Sequence, residues 1–298
     1  MSNPNSISEL HLASTTPYHL NTQLLNKLKS VGLIVGSLIL IIWALFPFLI
    51  MLKSSFQPYE EIVSLNFKIL PDIWFYWENY RLVIWETSFV RWFINSVLVT
   101  IAAIMINIVV DTLAGYSLSR LDFKGKNLLN VLVISSQMVP TQVIIIPLYL
   151  MMVELGWVDS YLGLIIPVSM SPFIIFYLRQ SFMQIPKEID EAALIDGCSY
   201  ARILVSVIIP NALPALGTSL LLKFMWVWGD YMWPSLVVKN NAMRTLPVGI
   251  ATFQRAGGTV PWEMVMPAAV ITTIPIILMF IGLQKYFISG LTEGAVKG

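Results

Sequence analysis

The sequence is poor in charged residues and in the side chains that serve acid–base or metal chemistry. Only 12% of its 298 residues are charged, whereas an average soluble domain has about 25%. The lone cysteine, Cys198, excludes an internal disulfide and a multi-cysteine metal site. Both histidines, His11 and His19, precede the first long apolar run. The net charge of +1 gives no reason to expect a nucleic-acid ligand.

The chain also lacks the motifs of nucleotide hydrolysis and metal catalysis. Gly125-Lys126-Asn127 has neither the upstream glycine nor the Ser or Thr of a phosphate-binding loop. No H-E-x-x-H motif is present. We therefore expect no catalytic residue, no metal site and no cofactor in this chain, so the energy for any active process must come from a partner.

Apolar residues dominate instead. They make up 57% of the sequence, and the mean hydropathy is +0.75, which indicates a protein that uses lipid as its solvent. Since a membrane-spanning helix needs about 20 apolar residues, we predict an all-α integral membrane protein with about six transmembrane helices. The predicted spans are residues 31–52, 93–118, 128–153, 161–182, 207–237 and 263–288.

The segments between these runs complete the predicted organisation. Residues 1–30 are rich in Ser, Thr and Asn and are predicted to form a disordered tail, before a transmembrane domain at 31–290 and a tail at 291–298. Three polar segments are predicted within the domain: an outer segment at 53–90, an inner loop at 183–206 and an outer loop at 238–262. Lys and Arg are modestly more frequent in the segments placed inside, which puts both termini in the cytoplasm.

A few polar residues lie inside the apolar runs: Asn95, Ser96, Asn107 and Asp111 in the second, and Lys223 and Asp230 in the fifth. Polar side chains of membrane helices commonly hold neighbouring helices together, and we expect this of the four in the second run. Lys223 and Asp230 are about two turns apart on the same helix face, where another residue can bridge them.

The most charged stretch of this apolar chain, residues 185–210, carries signals for two short helices. Pro186 lies where a first helical residue is expected, because its missing N–H is harmless there. Acidic residues follow, where they suit the positive end of the helix dipole: Glu188, Asp190 and Glu191. Gly197 predicts a left-handed end to this helix, and Ser199 predicts the N-cap of a second.

Ile189, Ala192 and Ala193 recur at helical spacing and so share one face. The two alanines leave that face shallow, so the groove of another protein can approach it closely. A surface helix that merely links two membrane helices explains the same pattern, and the residues alone leave both interpretations open.

The same stretch resembles the EAA loop of ABC importer permeases. The likeness rests on Glu191-Ala192-Ala193, Gly197 and the ending Val207-Ile208-Ile209-Pro210, with Val207 and Ile209 where the family has Ile and Leu. It implies a coupling helix that docks into a cleft of a cytoplasmic ATPase. The residues that the resemblance assigns to this coupling are Glu191, Ala192, Ala193, Asp196, Gly197 and Pro210.

Other segments resemble the sugar-uptake branch of these permeases. They are Asn95-Ser96, residues 114–126, residues 228–234, with Gly229 where Asn is usual, and residues 287–298. The C-terminal likeness is to the second, maltose-type permease subunit. It implies that Gly290, Thr292 and Gly294 contact the ATPase.

The resemblance implies that the chain forms half of the translocation path of an ATP-driven, solute-binding-protein-dependent importer for a sugar, oligosaccharide or sugar-like solute. The implied partners are a second homologous permease, an ATP-binding cassette ATPase dimer that holds ATP and magnesium, an extracytoplasmic solute-binding protein, the sugar and the lipid membrane. The implied location is the bacterial plasma membrane, and the outer loop at 238–262 would touch the binding protein.

Trp226, Asp230 and Trp233 are candidates for the solute path. Aromatic faces suit sugar rings, and a carboxylate suits hydroxyl groups. Tryptophans near the end of a span also serve as interface anchors, which is the alternative role for these two.

Two other functions are weighed against import through a partner ATPase. A secondary, ion-coupled transporter often shows repeated halves with broken helices, but the chain shows no convincing repeat. A membrane-embedded enzyme needs acid–base or metal groups at one membrane face, which the histidine-free apolar region does not supply. Uptake without ATP would favour the transporter, and activity on a lipid substrate would favour the enzyme.

Overall fold

The computed structural model of the protein describes residues 18–64, 72–73, 75–253 and 258–295, with side chains between 26 and 286. Every regular element within these residues is helical. The chain divides into two units, Met1–Lys53 and Ser54–Gly298. The described part of the first unit belongs to helix α1 (Tyr18–Ser55), which begins within the segment predicted as a disordered tail.

The second unit is a succession of helices that vary widely in length. Its first half contains α2 (Tyr59–Ile62), α3 (Glu78–Glu86), α4 (Phe89–Arg120), α5 (Lys126–Ser136), α6 (Thr141–Glu154), α7 (Tyr161–Ile165), α8 (Pro172–Gln184) and α9 (Lys187–Ile195). Its second half contains α10 (Tyr200–Ile203), a π-helical turn (Leu204–Ile208), α11 (Ile209–Asn211), α12 (Leu213–Trp228), α13 (Met232–Val237), a 3₁₀ turn (Asn241–Met243), α14 (Leu246–Ala251) and α15 (Trp262–Ala295).

Three described helices are long and apolar enough to cross a membrane: Asn26–Ser55, Phe89–Arg120 and Trp262–Tyr286. They coincide with the predicted first, second and sixth spans. The number rises to five if each of two bent helix pairs is one span. The chain is therefore a multi-pass membrane protein with three to five candidate spans among the described residues, where the sequence predicted about six.

The predicted third and fifth spans are bent rather than straight. The bend between α5 and α6 is 103°, and the bend between α10–α11 and α12–α13 is 82°. Prolines explain both breaks, because proline lacks an N–H and disfavours helical geometry in the residue before it. Pro140 precedes α6, and Pro210 and Pro214 lie on either side of the second bend.

The predicted fourth span is two helices, α7 and α8, separated by residues 166–171. Helix α8 has 13 residues, which gives it a length of about 20 Å at 1.5 Å per residue. The hydrocarbon core of a bilayer is about 30 Å thick. Helix α8 alone is therefore shorter than a full span.

Helix α4 is central to the packing of the second unit. Each of the three apolar clusters described in this unit includes side chains from α4. Tyr116 packs with α8, α10, the π turn and α12. Phe89 and Trp92 pack with α3, α12, α14 and α15, while Val99 packs with α6, α7 and α13. Gly115 allows the closest approach to α8, since a Cβ there would lie 3.1 Å from the Leu178 Cβ and 3.2 Å from a backbone nitrogen.

Three of the four polar residues predicted to hold α4 against other elements do so, namely Asn95, Ser96 and Asp111, whereas Asn107 donates to Asp111 within α4. Asn95 is fully buried and donates from Nδ2 to the carbonyl oxygens of Ala242 and Arg244, at 2.9 and 2.8 Å. Tyr161 Oη hydrogen-bonds to Asn95 Oδ1 at 2.8 Å. Ser96 Oγ accepts the first N–H of α14 at 2.7 Å. These side chains hold α7 and the chain before α14 against α4.

Candidate coupling site

Helix α9 contains three of the six residues that the resemblance assigns to coupling, Glu191, Ala192 and Ala193, and it begins one residue later than predicted. Pro186 is the N-cap, with φ −55° and ψ 135°, so the first helical residue is Lys187. The fixed φ of proline suits both the N-cap and the first helical position. The extended ψ of Pro186 identifies it as the N-cap. Glu188 and Asp190 lie in the first turn, where their charges favour the helix dipole.

Gly197 ends this part of the chain in the left-handed conformation that the sequence predicted, with φ +80°. Its N–H donates to the carbonyl oxygen of Leu194 at 3.0 Å, and the N–H of Cys198 donates to that of Ala193 at 2.9 Å. This is a Schellman motif, which gives partners to carbonyl groups that a helix end otherwise leaves free.

The chain beyond Gly197 turns directly into a second helical segment. Ser199 Oγ accepts the N–H of Arg202 at 3.4 Å, which confirms the predicted N-cap of α10. A π turn follows, in which Ile209 N–H donates to the carbonyl oxygen of Leu204. Pro210 comes next and is exposed. The wider turn leaves room for the proline ring, which in an α-helix clashes with the carbonyl group four residues earlier.

One side of α9 is fixed to the rest of the protein. Ala193 and Cys198 are half-buried against the apolar cluster around Tyr116. Asp190 forms an ion pair with Arg120, the last residue of α4, with 3.3 Å between Oδ2 and Nε. The position of α9 is therefore linked to the end of the long central helix.

The other side of α9 is open. Glu188, Glu191, Ala192 and Ile195 lie at i, i+3, i+4 and i+7, share one face and are all exposed. We call these four residues the exposed face. Ile195 is 87% exposed, which is unusual for an isoleucine of a folded chain. The sequence prediction grouped Ala192 with Ala193, whereas the structure turns Ala193 toward the protein's own core.

Ile195 and Arg120 are absent from the predicted site residues. The helical spacing of the exposed face indicates Ile195, once it is known which side of α9 packs on the protein. Nothing local indicates Arg120, because its partner lies far along the chain.

The three candidates for the solute path lie in different environments. Trp233 is 5% exposed, and its Nε1 donates to the carbonyl oxygen of Gly163 at 2.9 Å. Asp230 is half-buried, and its Oδ1 accepts the N–H of Trp233 at 3.3 Å. Trp226 is 46% exposed, with its ring edge-on to Phe173 at 5.6 Å. Trp226 is therefore the candidate whose ring is most accessible.

Lys223 lies within one of the bent candidate spans and interacts with a charge on another helix. It is 3% exposed, and its charge interacts with Asp111 of α4, which is 0% exposed. Asp111 Oδ2 also accepts hydrogen bonds from the Asn107 side chain and from the N–H of Ser171. The opposite charge that acts on Lys223 is therefore on α4, while Asp230 accepts the N–H of Trp233.

The loop after α13, which the sequence predicts to lie outside, is fixed to two neighbouring elements. Asp159, with φ +55°, accepts the N–H groups of Lys239 and Asn240 on Oδ1, at 2.6 and 2.8 Å. Trp92 Nε1 donates to the carbonyl oxygen of Asn241 at 3.1 Å. Residues 254–257 of the predicted loop lie outside the described residues.

The predicted C-terminal tail is a continuation of α15, which runs through Ala295 instead of ending before residue 291. Gly290, Thr292 and Gly294 lie in its last turns. Their side chains, and residues 296–298, lie outside the described part of the chain.

The sequence from Asp111 onward decides the family. Residues 111–293, from the middle of α4 to the last turns of α15, match the family described as the binding-protein-dependent transport system inner membrane component. The chain belongs to this family. It is therefore a transport permease rather than an enzyme, and ATP hydrolysis belongs to a partner ATPase. Family membership does not favour the ion-coupled transporter or the membrane-embedded enzyme.

Similar permeases cover nearly the whole chain. The trehalose/maltose transport system permease protein of Thermococcus litoralis is 36% identical over 91% of this chain and 98% of its own length. An arabinooligosaccharides transport system permease protein of Halalkalibacterium halodurans is 32% identical over 89% of this chain and 96% of its own. The diacetylchitobiose uptake system permease protein of Streptomyces coelicolor is also 32% identical, over 89% and 96%.

A solved structure supports the fold of the permease. It is a crystal structure of a bacterial ABC transporter involved in the import of the acidic polysaccharide alginate, and it matches 88% of this chain and 97% of its own with a TM-score of 0.77. The sequence identity is 23%, so this likeness shows the fold alone.

Proposed function

We propose that this permease is one of two homologous membrane subunits of an ATP-driven importer for a sugar, an oligosaccharide or a sugar-like solute. Similar permeases are named for the transport of trehalose and maltose, arabinooligosaccharides and diacetylchitobiose. The two subunits enclose the translocation path, and an extracytoplasmic solute-binding protein delivers the solute. Trp226, Asp230 and Trp233 stay candidates for contacts along that path.

Helix α9 is the coupling helix of this proposal, and its exposed face is the observation that carries it. One side of the helix is held by the protein's own core, while the other presents Ile195 at its C-terminal end and two carboxylates, Glu191 and Glu188, in the turns before it. The matching surface on the ATPase is an apolar cleft with basic residues at its rim. The cleft accepts Ile195 and Ala192, and the rim pairs with the carboxylates.

The remaining parts of the proposal follow the family arrangement. The chain crosses the plasma membrane about six times, with both termini and α9 in the cytoplasm and the loop at 238–262 outside, next to the binding protein. ATP and magnesium are held by the ATPase dimer, and this chain holds no cofactor. The last turns of α15, with Gly290, Thr292 and Gly294, lie near the ATPase.

Purification of the chain from its native membrane in a gentle detergent tests this assembly. Mass spectrometry of the purified material is expected to identify an ATPase, a second permease and a solute-binding protein. Proteoliposomes with this complex are expected to take up the sugar only with ATP and the binding protein. A chain that purifies alone and moves solute without ATP, driven by an ion gradient, would refute the proposal.

Ile195→Gln is expected to weaken binding of the ATPase roughly ten- to a hundredfold. The reason is that full burial of an isoleucine contributes about 1.5–3 kcal/mol, and about 1.4 kcal/mol corresponds to a factor of ten in affinity. Binding is measured between the ATPase and the permease in nanodiscs. Leu194→Gln is the matched control, because Leu194 is only 40% exposed and lies off the exposed face. Equal effects of the two substitutions would contradict the assigned docking face.

Gly197→Val is expected to leave the protein in the membrane but to uncouple ATP hydrolysis from uptake. A Cβ at this position meets open space, so the cost is backbone strain alone, about 1–2 kcal/mol in the left-handed conformation. Gly197→Asn is the control, since asparagine tolerates this conformation. Sugar uptake per ATP hydrolysed is measured in proteoliposomes. Normal uptake by the valine variant would remove the role given to Gly197.

A further inference from the structure

Arg120 connects three elements at the point where α9 meets the rest of the protein. It is the last residue of α4, and its side chain is only 4% exposed. Its Nη2 donates to the carbonyl oxygens of Phe182 and Ile185, each at 2.7 Å. These carbonyls lie at the C-terminal end of α8, where a cation also favours the helix dipole. The guanidinium of α4 is therefore held firmly at the end of α8.

The contact between Arg120 and α9 leaves hydrogen-bonding groups of both partners unused. Asp190 Oδ2 lies 3.3 Å from Arg120 Nε, yet within the described residues neither Nε nor Asp190 Oδ1 makes a hydrogen bond. Arg120 can keep both carbonyl contacts while the distance to Asp190 changes, because its five donors point in different directions. The distance between Asp190 and Arg120 can therefore change while the hydrogen bonds from Arg120 to the carbonyls of α8 stay in place.

Helices α4 and α8 offer little freedom to move separately at this end. Gly115 brings their backbones into close contact, and Arg179 Nε donates to the carbonyl oxygen of Leu118 at 3.3 Å. One turn before Arg120, Tyr116 Oη donates to the carbonyl oxygen of Tyr200 at 3.3 Å. A displacement of α9 therefore reaches the α4–α8 pair through few contacts, and the charged one is Asp190 with Arg120.

We propose that the Asp190–Arg120 ion pair transmits movement of α9 to α4 and α8, with Arg120 as the positioning residue. The inference rests on the proposed docking of α9 on an ATPase, and it adds the route by which the docked helix acts on the membrane part. Coupling free energies between sites in proteins typically correspond to factors of roughly 5 to 150. Loss of the pair is expected to reduce sugar uptake per ATP by a factor in this range.

The test uses the complete transporter in proteoliposomes, with ATP hydrolysis, sugar uptake and retention of the ATPase measured on the same preparations. Asp190→Asn is expected to retain the ATPase and its hydrolysis within about twofold, and to lower uptake per ATP at least roughly fivefold. Asp190→Glu keeps the negative charge and is expected to retain most of the uptake per ATP of the unsubstituted protein. Arg120→Lys is expected not to restore uptake per ATP, because a single ammonium group does not reproduce the planar, forked contacts of the guanidinium.

Lys126→Gln is the matched control, since Lys126 is a nearby cation whose ion-pair partner, Asp122, is 94% exposed. It is expected to leave uptake per ATP unchanged. An unaltered ratio in Asp190→Asn overturns the inference, and so does a parallel fall in ATPase retention, hydrolysis and uptake, which a purely structural role would produce. Absence of ATPase binding to the unsubstituted chain would instead refute the proposed function.

Discussion

Replacing Lys223 alone by methionine is expected to lower the free energy of unfolding by about 3–5 kcal/mol. The substitution leaves the charge of Asp111, which is 0% exposed, without its opposing charge in a membrane-spanning region. Asp111 keeps only the hydrogen bonds from Asn107 and Ser171. Thermal unfolding of the purified protein in detergent, followed by tryptophan fluorescence, measures the loss.

The double variant Asp111→Asn, Lys223→Met is expected to recover most of that stability. An asparagine at 111 still offers an oxygen to the N–H of Ser171, and neither position then carries a charge. Removing both of two interacting buried charges is often neutral, whereas removing one of them is costly. Lys124→Met serves as a control, because Lys124 is exposed and exposed charges contribute about 0–1 kcal/mol. Additive effects of the two single substitutions at 111 and 223 would show that the charges are not coupled.

Asn95→Leu is expected to destabilise the contact between α4 and the loop that follows α13 by about 3 kcal/mol, since each buried group left without a partner costs about 1–3 kcal/mol. The leucine has the same branched arrangement of side-chain heavy atoms but removes both hydrogen bonds to residues 242 and 244 and the contact with the Tyr161 hydroxyl. The expected result is faster hydrogen–deuterium exchange across the loop that follows α13.

A matched change at an exposed asparagine separates this effect from a general weakening of the loop. Asn241 is exposed, and its Nδ2 donates to Ser88 Oγ at 2.9 Å. Asn241→Ala is expected to change exchange in the loop only slightly, because water replaces the lost partner. Similar exchange in the two variants would mean that Asn95 does not organise this region.

Features set by neighbouring residues are predictable from this sequence. Gly197 and Ser199 form a local helix end and a local cap, and both predictions are confirmed. Prolines within the apolar runs indicate where the helices break, but not the bend angles of 103° and 82°, because packing against other helices decides them. Glycines at 290 and 294 suggest an end to α15, yet glycine costs a helix only about 1 kcal/mol, and the helix continues.

Contacts between residues that are distant in the chain could not be predicted from the sequence. Helical spacing put Lys223 and Asp230 on one helix face, while the fold brings the charge of Asp111, on another helix, into range of Lys223. The contact of Arg120 with Asp190 depends in the same way on the packing of α4 against α8. Which side of α9 is exposed depends on its packing against the cluster around Tyr116. Only the tertiary structure therefore shows that the exposed face contains Ile195 and not Ala193.

The small size of the exposed face of α9 has a consequence for how long it stays bound. A helix of nine residues whose exposed face carries one isoleucine, Ile195, binds with a short residence time, because burial of that side chain contributes only about 1.5–3 kcal/mol. When two permeases each present such a helix, the second contact forms within one complex and benefits from an effective concentration in the millimolar range. Lasting attachment is then a property of the linked pair, and each helix can release and rebind while the transporter stays assembled.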